Sequence, residues 1–442
     1  MNVVTTTSPS YLASLLNGQP RPAASPSASL NTLRAAAVER VGVLTVPTTR
    51  DEDWRFTDIS LLTKMSFHPV QTASNLQVAD VEHFYIAEAT TRIVFVDGVY
   101  APHLSNLAAD GVKVSNLAPG FAGNVASAAH AAHLGQHVGF QHNVFAALNT
   151  AFLHDGALVI VPRDVSVSTP VHLLFIATQA GAVSYPRCLL LAEPGSAATV
   201  IEDYVSLQDE ACFTNAVTEI VLADNARVHH IRVQRENVQA FHIANCAVSL
   251  AQGSNYQSVN VALGARISRY NLNVLLRAEG AECAVDGLAL ISGNQLADTH
   301  TCIDHAQPHG VSRQLHKCIV GGSAHAVFNG KIMVRPGAQR TDSQQSSRNL
   351  LLTGRAQVDT KPQLEIFADD VKCTHGATVG QLDSEEVFYL QSRGLSEIVA
   401  RNLLTYAFGA EIIDRIPVAS LKIQLEKTVN EQTTNEKIGR QP

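Results

Sequence analysis

From about Ala157 onward, short Val/Ile/Leu-rich runs alternate with turns, and no long helical pattern intervenes until Leu382. The turns resemble one another: Leu191-Ala-Glu-Pro-Gly-Ser196, Leu222-Ala-Asp-Asn-Ala226, Leu250-Ala-Gln-Gly-Ser254 and Leu276-Arg-Ala-Glu-Gly-Ala281. Their Gly or Asn markers at 195, 225, 253 and 280 step by about 27–30 residues; later markers at 322, 337, 354 and 370 step by about half of that. Strands with turns at constant offsets predict a β-solenoid, each coil stacking its inward side chains on the next. A β-sandwich also has evenly spaced strands, but it does not require similar turns at a fixed interval.

The flanks read differently. Leu30, Leu33, Ala37 and Val41 recur at helical spacing, with Ser29 as a candidate N-cap. Ile93–Tyr100 predicts two short strands around an Asp-Gly turn, and Val125–Leu134 and Asn143–Leu153 have helical composition. After Leu382, Asp383 and Glu386 form a capping-box-like pair, with Gly394 as a stop. Ser396 can cap a second helix ended by Gly409, and Val418–Leu425 add a last turn or two. Such short helices must pack on the solenoid end, on a partner, or on both. The predicted organisation is a flexible segment 1–28, a mixed α/β domain 29–155, the solenoid 156–382, a helical domain 383–427 and a flexible tail 428–442.

Composition narrows the class. The chain has 442 residues, 46% hydrophobic and only 16% charged, which fits a folded chain with much buried strand. The net charge of −7 and scattered Lys and Arg give no basic run, so neither nucleic acid nor an anionic membrane is an expected partner. Seven dispersed cysteines without a CxxC spacing fit a reducing compartment. No secretory signal is apparent and no apolar run is long enough to span a bilayer. A cytoplasmic location is expected, or the plastid stroma if the Ser/Thr/Ala-rich, acid-free first 38 residues are a transit peptide.

Familiar enzyme motifs are missing. There is no GxG, no Walker A around Gly330-Lys331, no HExxH, and Gly376-Ala-Thr-Val-Gly380 has Thr where a nucleophile elbow has Ser. Two clusters carry candidate chemistry. Asp298, His300, Asp304, His305, His309 and His316 lie within nineteen residues and could bind zinc or iron, or simply hydrogen-bond between coils. Cys373 and His375 stand two apart in a strand-like segment, so they project from one face. Against a site stands the plainer reading of a buried thiol and a surface histidine. Two ligands are too few to hold a metal firmly, so a site there needs ligands from another chain.

Six strings remain: Trp54-Arg-Phe-Thr57, Asp304-His-Ala-Gln-Pro-His309 with Ser312 and Lys317, Phe328-Asn-Gly-Lys331, Thr341–Leu352, Asp369–Asp383 and Phe388-Tyr-Leu-Gln-Ser-Arg-Gly394. Together they resemble the SufB/SufD family of the SUF iron–sulfur cluster assembly complex. The resemblance spans about 50–420; His375-Gly-Ala-Thr378, in place of His-Glu-Ala-Thr, places it in the SufD branch.

The resemblance implies a mainly β protein: a right-handed parallel β-helix core between an N-terminal α/β domain and a C-terminal helical domain. It implies a non-catalytic scaffold that pairs with SufB through the β-helix ends and carries a SufC ATPase on the helices within Asp383–Ile416. Phe388, Tyr389, Arg393, Leu403, Leu404 and Phe408 are the docking residues expected there. His375 is implied in cluster assembly at the SufB interface, shared as a metal ligand with the partner chain, with Cys373 beside it. The isolated chain is expected to hold no stable cofactor, and whether it forms a homodimer when alone is left open by the sequence. The complex would hold a transient iron–sulfur cluster; some complexes of this family are linked to reduced flavin, for which this sequence carries no motif. The rival readings are a β-helix metalloenzyme using the His300–His316 cluster and an exported polysaccharide-processing β-helix; the missing signal peptide and 6% aromatics weigh against the latter.

Overall fold

The turn markers explain the architecture. Gly195, Asn225, Gly253 and Gly280 all adopt positive φ, between 58° and 70°, a region that Gly enters freely and Asn tolerates. Each such turn ends one strand and starts the next. The structure, a computed structural model, describes residues 11–18, 28–70, 73–107, 111–117 and 128–435.

Strands alternate between two parallel sheets and build about eight coils. Phe213 pairs with Phe241, Phe241 with Ile267, Ile267 with Leu296 and Leu296 with His325, steps of 26 to 29 residues. Each coil contributes one strand to each sheet, which is why the later turn markers fall at half the repeat. The lumen between the sheets is filled by inward residues such as Val200, Val228, Tyr256, Cys283, Leu272 and Val274. All seven cysteines are unpaired.

At the N-terminal side, Thr91–Val96 pairs in parallel with Val171–Ala177, and Lys113–Asn116 runs antiparallel to Ala157–Val161. The N-terminal region therefore shares both sheets with the β-helix. Asp97 and Gly98 form the expected tight turn between Val96 and Val99, both at positive φ. Helix α1, Tyr11–Gly18, buries Leu12 and Leu15 in the same cluster as Phe67 and Phe145. Part of the expected flexible 1–28 segment is thus packed helix; residues 1–10 and 19–27 lie outside the described residues. Helix α2, Ala28–Val41, buries Leu30, Ala37 and Val41, and it begins before Ser29, which is inside it rather than its cap. Of Val125–Leu134, residues 128–134 are described, and they form one turn of helix, Ala128–Ala131, followed by a turn. Helix α3, Val144–Ala151, is capped by Asn143, whose side chain accepts from the amides of Phe145 and Ala146.

Three C-terminal helices follow: α4, Ser384–Ser392; α5, Glu397–Ile413; and α6, Ala419–Asn435. Asp383 and Ser396 cap the first two, and Gly394 at φ 94° separates them. Gly409 does not end α5. A Cβ there would sit 3.3 Å from Ile319 Cδ1, so glycine lets the helix backbone approach the sheet. Nor does the chain become a flexible tail at Thr428, since α6 runs to Asn435 and buries Val429. The helices pack on the flank of the second sheet, not on the solenoid end. Ile412, Ile413, Ile416, Leu421, Leu425 and Val429 cover outward residues including Ile231, Val259, Leu288 and Ile319. The reason is the sheet itself: its strands are apolar on both faces, and the outer face needs a cover.

Candidate functional site

The last strand of the second sheet, Lys372–Gly380, is paired on one side only, with Asp342–Leu351. Gln357–Ile366 is likewise the terminal strand of the first sheet. Both edges offer unpaired backbone groups to another chain. Ile366, Phe367 and Val379 are exposed at this end.

Cys373 and His375 lie on one face of that strand, in register with Ser343 and Gln345. Both partners belong to lumen-facing columns. Ser343 meets Ser312 at 2.7 Å, and Gln345 Nε2 donates to the Gly330 carbonyl at 3.1 Å. Cys373 is half-buried against Ile332, Val334, Ala338 and Ala368. Burial, with Asp342 nearby, raises its thiol pKa, so it is a thiol rather than a thiolate at neutral pH. His375 is exposed at the lumen mouth. The imidazole is therefore the more available ligand of the two.

The second candidate cluster comes apart. Asp298 and His300 lie on the outer face of the first sheet, 3.0 Å apart. His305 and His316 point into the lumen, where burial lowers their pKa values to about 4 and about 3. His305 bonds Ser312 at 2.9 Å and His316 stacks on Phe328. His309 sits in a turn, 3.8 Å from Glu279, and Arg335 holds Asp304. Among the described residues, no three His, Cys, Asp or Glu side chains are disposed to hold a metal ion. Strand alternation sends His300 and His305 to opposite faces.

Asp298 serves another purpose. Thr57 Oγ1 donates to it at 2.5 Å and Arg269 Nη1 at 2.7 Å, while Arg269 covers the Trp54 ring at 3.8 Å. The Trp54-Arg-Phe-Thr57 string thereby straps the N-terminal region to the outer face of the first sheet. Beside the strap lies a cleft of about 820 Å³, lined by Trp54, Asn143, Asn245, Asn271, His300, Cys302 and Lys331 among others.

On the helical side, Phe388 is 71% exposed, Tyr389 57% and Leu403 47%. Arg393 lies against Tyr389, and Leu404 lines a shallow groove of about 470 Å³ with Asp383, Glu385, Glu386, Tyr389 and Leu390. Ile398 and Val399, at 60% and 49%, extend this apolar surface and were missed as docking candidates, although their helical spacing was legible. Phe408 is different. It is half-buried at the seam between α5 and the sheet, under the Lys317 ammonium.

Residues 175–408 match the SUF system FeS cluster assembly SufBD core domain, and residues 11–173 match the SufBD protein N-terminal region. The chain belongs to the SufBD family. A relative in Synechocystis, an iron–sulfur cluster assembly SufBD family protein, is 41% identical over 416 residues, 90% of each chain. The iron–sulfur cluster assembly protein SufD of Escherichia coli is 35% identical, covering 86% of this chain and 88% of its own length. A protein of Arabidopsis thaliana named ABCI7, chloroplastic, is 31% identical over 92% of this chain and 87% of its own. Membership assigns the chain to SUF iron–sulfur cluster assembly and matches the parallel β-helix with its flanking regions. No helix among the described residues is long and apolar enough to cross a membrane.

Proposed function

We propose that this chain is a non-catalytic scaffold that joins SufB through the open end of its β-helix and SufC through α4 and α5. A cluster would be built at the first of these contacts. The observation that carries the reading is the location of His375: an exposed imidazole on an edge strand paired on one side only, at the last coil, where a second chain can add ligands. Neutral imidazole suits iron, and a partner thiolate would complete a set that neither chain holds alone. Cys373, protonated and half-buried, is the secondary ligand. The exposed apolar surface of Phe388, Tyr389, Ile398 and Leu403 with its acidic rim at Glu385 and Glu386 suits an ATPase partner presenting apolar and basic groups.

Dimerisation of the ATPase subunits on ATP would pull on the helices. A β-helix is stiff along its coils, so the pull would open the SufB contact rather than bend the solenoid. The reading places the chain in the cytoplasm, or in the plastid stroma if its first residues are a transit peptide.

Co-expression with SufB and SufC tests it through subunit stoichiometry and iron–sulfur content. His375→Ala should leave the complex intact and lower cluster yield by about tenfold or more. Equal yields from mutant and wild-type complexes would sink the assignment. Phe388→Asp with Leu403→Asp should remove SufC while SufB pairing survives, read by pull-down against each partner.

A further inference from the structure

We propose that Lys317, gripped by α5, is the positioning residue that delivers movement of the C-terminal helices to the end of the β-helix carrying His375. This rests on the scaffold reading above. Lys317 stands on Val311–Val320, on the outer face of the second sheet, with its side chain only 4% exposed. Its ammonium pairs with Glu411, donates to the Phe408 carbonyl at 2.8 Å and sits 4.4 Å from the Phe408 ring centroid. All three contacts are on α5.

The same helix and the turn just past its end hold the coils on either side. Glu411 also lies 3.5 Å from Arg348, one coil nearer the open end. Arg415 pairs with Asp286 at 2.6 Å, one coil further away. Three successive coils are thus fastened by ion pairs to α5 and the turn that follows it, over an apolar seat made close by Gly409. Of these pairs, Lys317 and Asp286 contribute the charges that are almost wholly out of water, at 4% and 7% exposed. A surface pair can exchange its partner for water at little cost, whereas a buried ammonium cannot leave its partners without being stranded. Lys317, which makes all three of its contacts on α5 itself, is therefore the contact that ties that helix most firmly to the sheet.

The column that Lys317 occupies ends on the strand that carries His375, three residues along it and on the outer face, while His375 is on the lumen face. Leu288, Lys317, Arg348 and Thr378 are in register on successive strands, about 4.8 Å apart. Thr378 lies on the His375 strand, and its carbonyl accepts from Asn349 Nδ2 at 2.9 Å. Helix α4 has no comparable hold: among the described residues, no ion pair joins it to a strand. It is free to follow a partner, with α5 as the lever and Lys317 as its bearing.

The test uses the full chain assembled with SufB and SufC. Lys317→Met should keep both subunits and the rate of ATP hydrolysis, yet lower the clusters formed per ATP hydrolysed by about fivefold. Lys317→Arg, which keeps the charge, should recover most of the yield. Glu411→Gln, on the exposed side of the pair, should give a smaller loss in the same direction and serves if Lys317→Met fails to assemble. Hydrogen exchange gives a readout independent of cluster yield. A non-hydrolysable ATP analogue should alter exchange across 372–380 in wild type and not in Lys317→Met. Unchanged yield per ATP and an unchanged exchange response would overturn the proposal. So would loss of SufC in proportion to loss of yield, because Lys317 would then be an anchor only. A wild-type complex that shows the exchange response but builds no cluster would count against the scaffold reading, not against the coupling.

Discussion

Asp298 was read from the sequence as a candidate metal ligand, and its neighbours give it another task. Burial alone would raise its pKa, but Arg269, His300 and Thr57 outweigh that and hold the carboxyl below the usual carboxylate range. The group that looked like half of a metal site is the anchor of the N-terminal strap. Asp298→Ala strands a buried guanidinium and should lower unfolding free energy by about 3–5 kcal/mol, measurable by urea denaturation. A loss well under 1 kcal/mol would mean the strap is held elsewhere. Cys373 and His375 are the converse case. Their spacing was enough to place them on one face, and the structure adds the difference between them: one thiol half-sunk in an apolar cluster, one imidazole in the open.

Among the elements, α5 departs furthest from expectation. Propensity marks Gly409 as a stop, yet the helix continues because that glycine faces a sheet rather than water. Phe408, adjacent to it, packs in the seam instead of on the exposed apolar surface, where Ile398 and Val399 stand. The seam has a pH signature. The hydrogen bond from Lys317 holds Glu411 below its ordinary pKa, so the folded state favours the ionised carboxylate. That contribution is full above the unfolded pKa of about 4.3 and fades as pH falls through the lower folded value. Glu411→Gln should therefore melt below wild type at pH 7, and the gap should close as pH drops below about 4. A gap that persists in acid would assign the loss to packing instead of charge. Solvent screening at the 41% exposed Glu411 side chain keeps the effect small.

At the scale of the whole molecule, the repeat was legible because each coil needs a turn residue at positive φ and inward apolar residues at every second position. Gly195, Asn225, Gly253 and Gly280 carry that information locally. The half-step between later markers was visible too, although only the two-sheet arrangement explains it. Local sequence specified the solenoid, the caps at Asp383 and Ser396, and the strand face shared by Cys373 and His375. These follow from local conformational preference and periodicity, which act within a few residues. Only the tertiary structure decided that the helices lie along the flank, that His300 and His316 part company, and that Lys317 meets Glu411 across some ninety residues of chain. Those outcomes depend on which surfaces are left uncovered once the coils have stacked. The outer face of the second sheet is apolar and takes the helices. The last coil has no successor, and so its edge, with His375 on it, stays open.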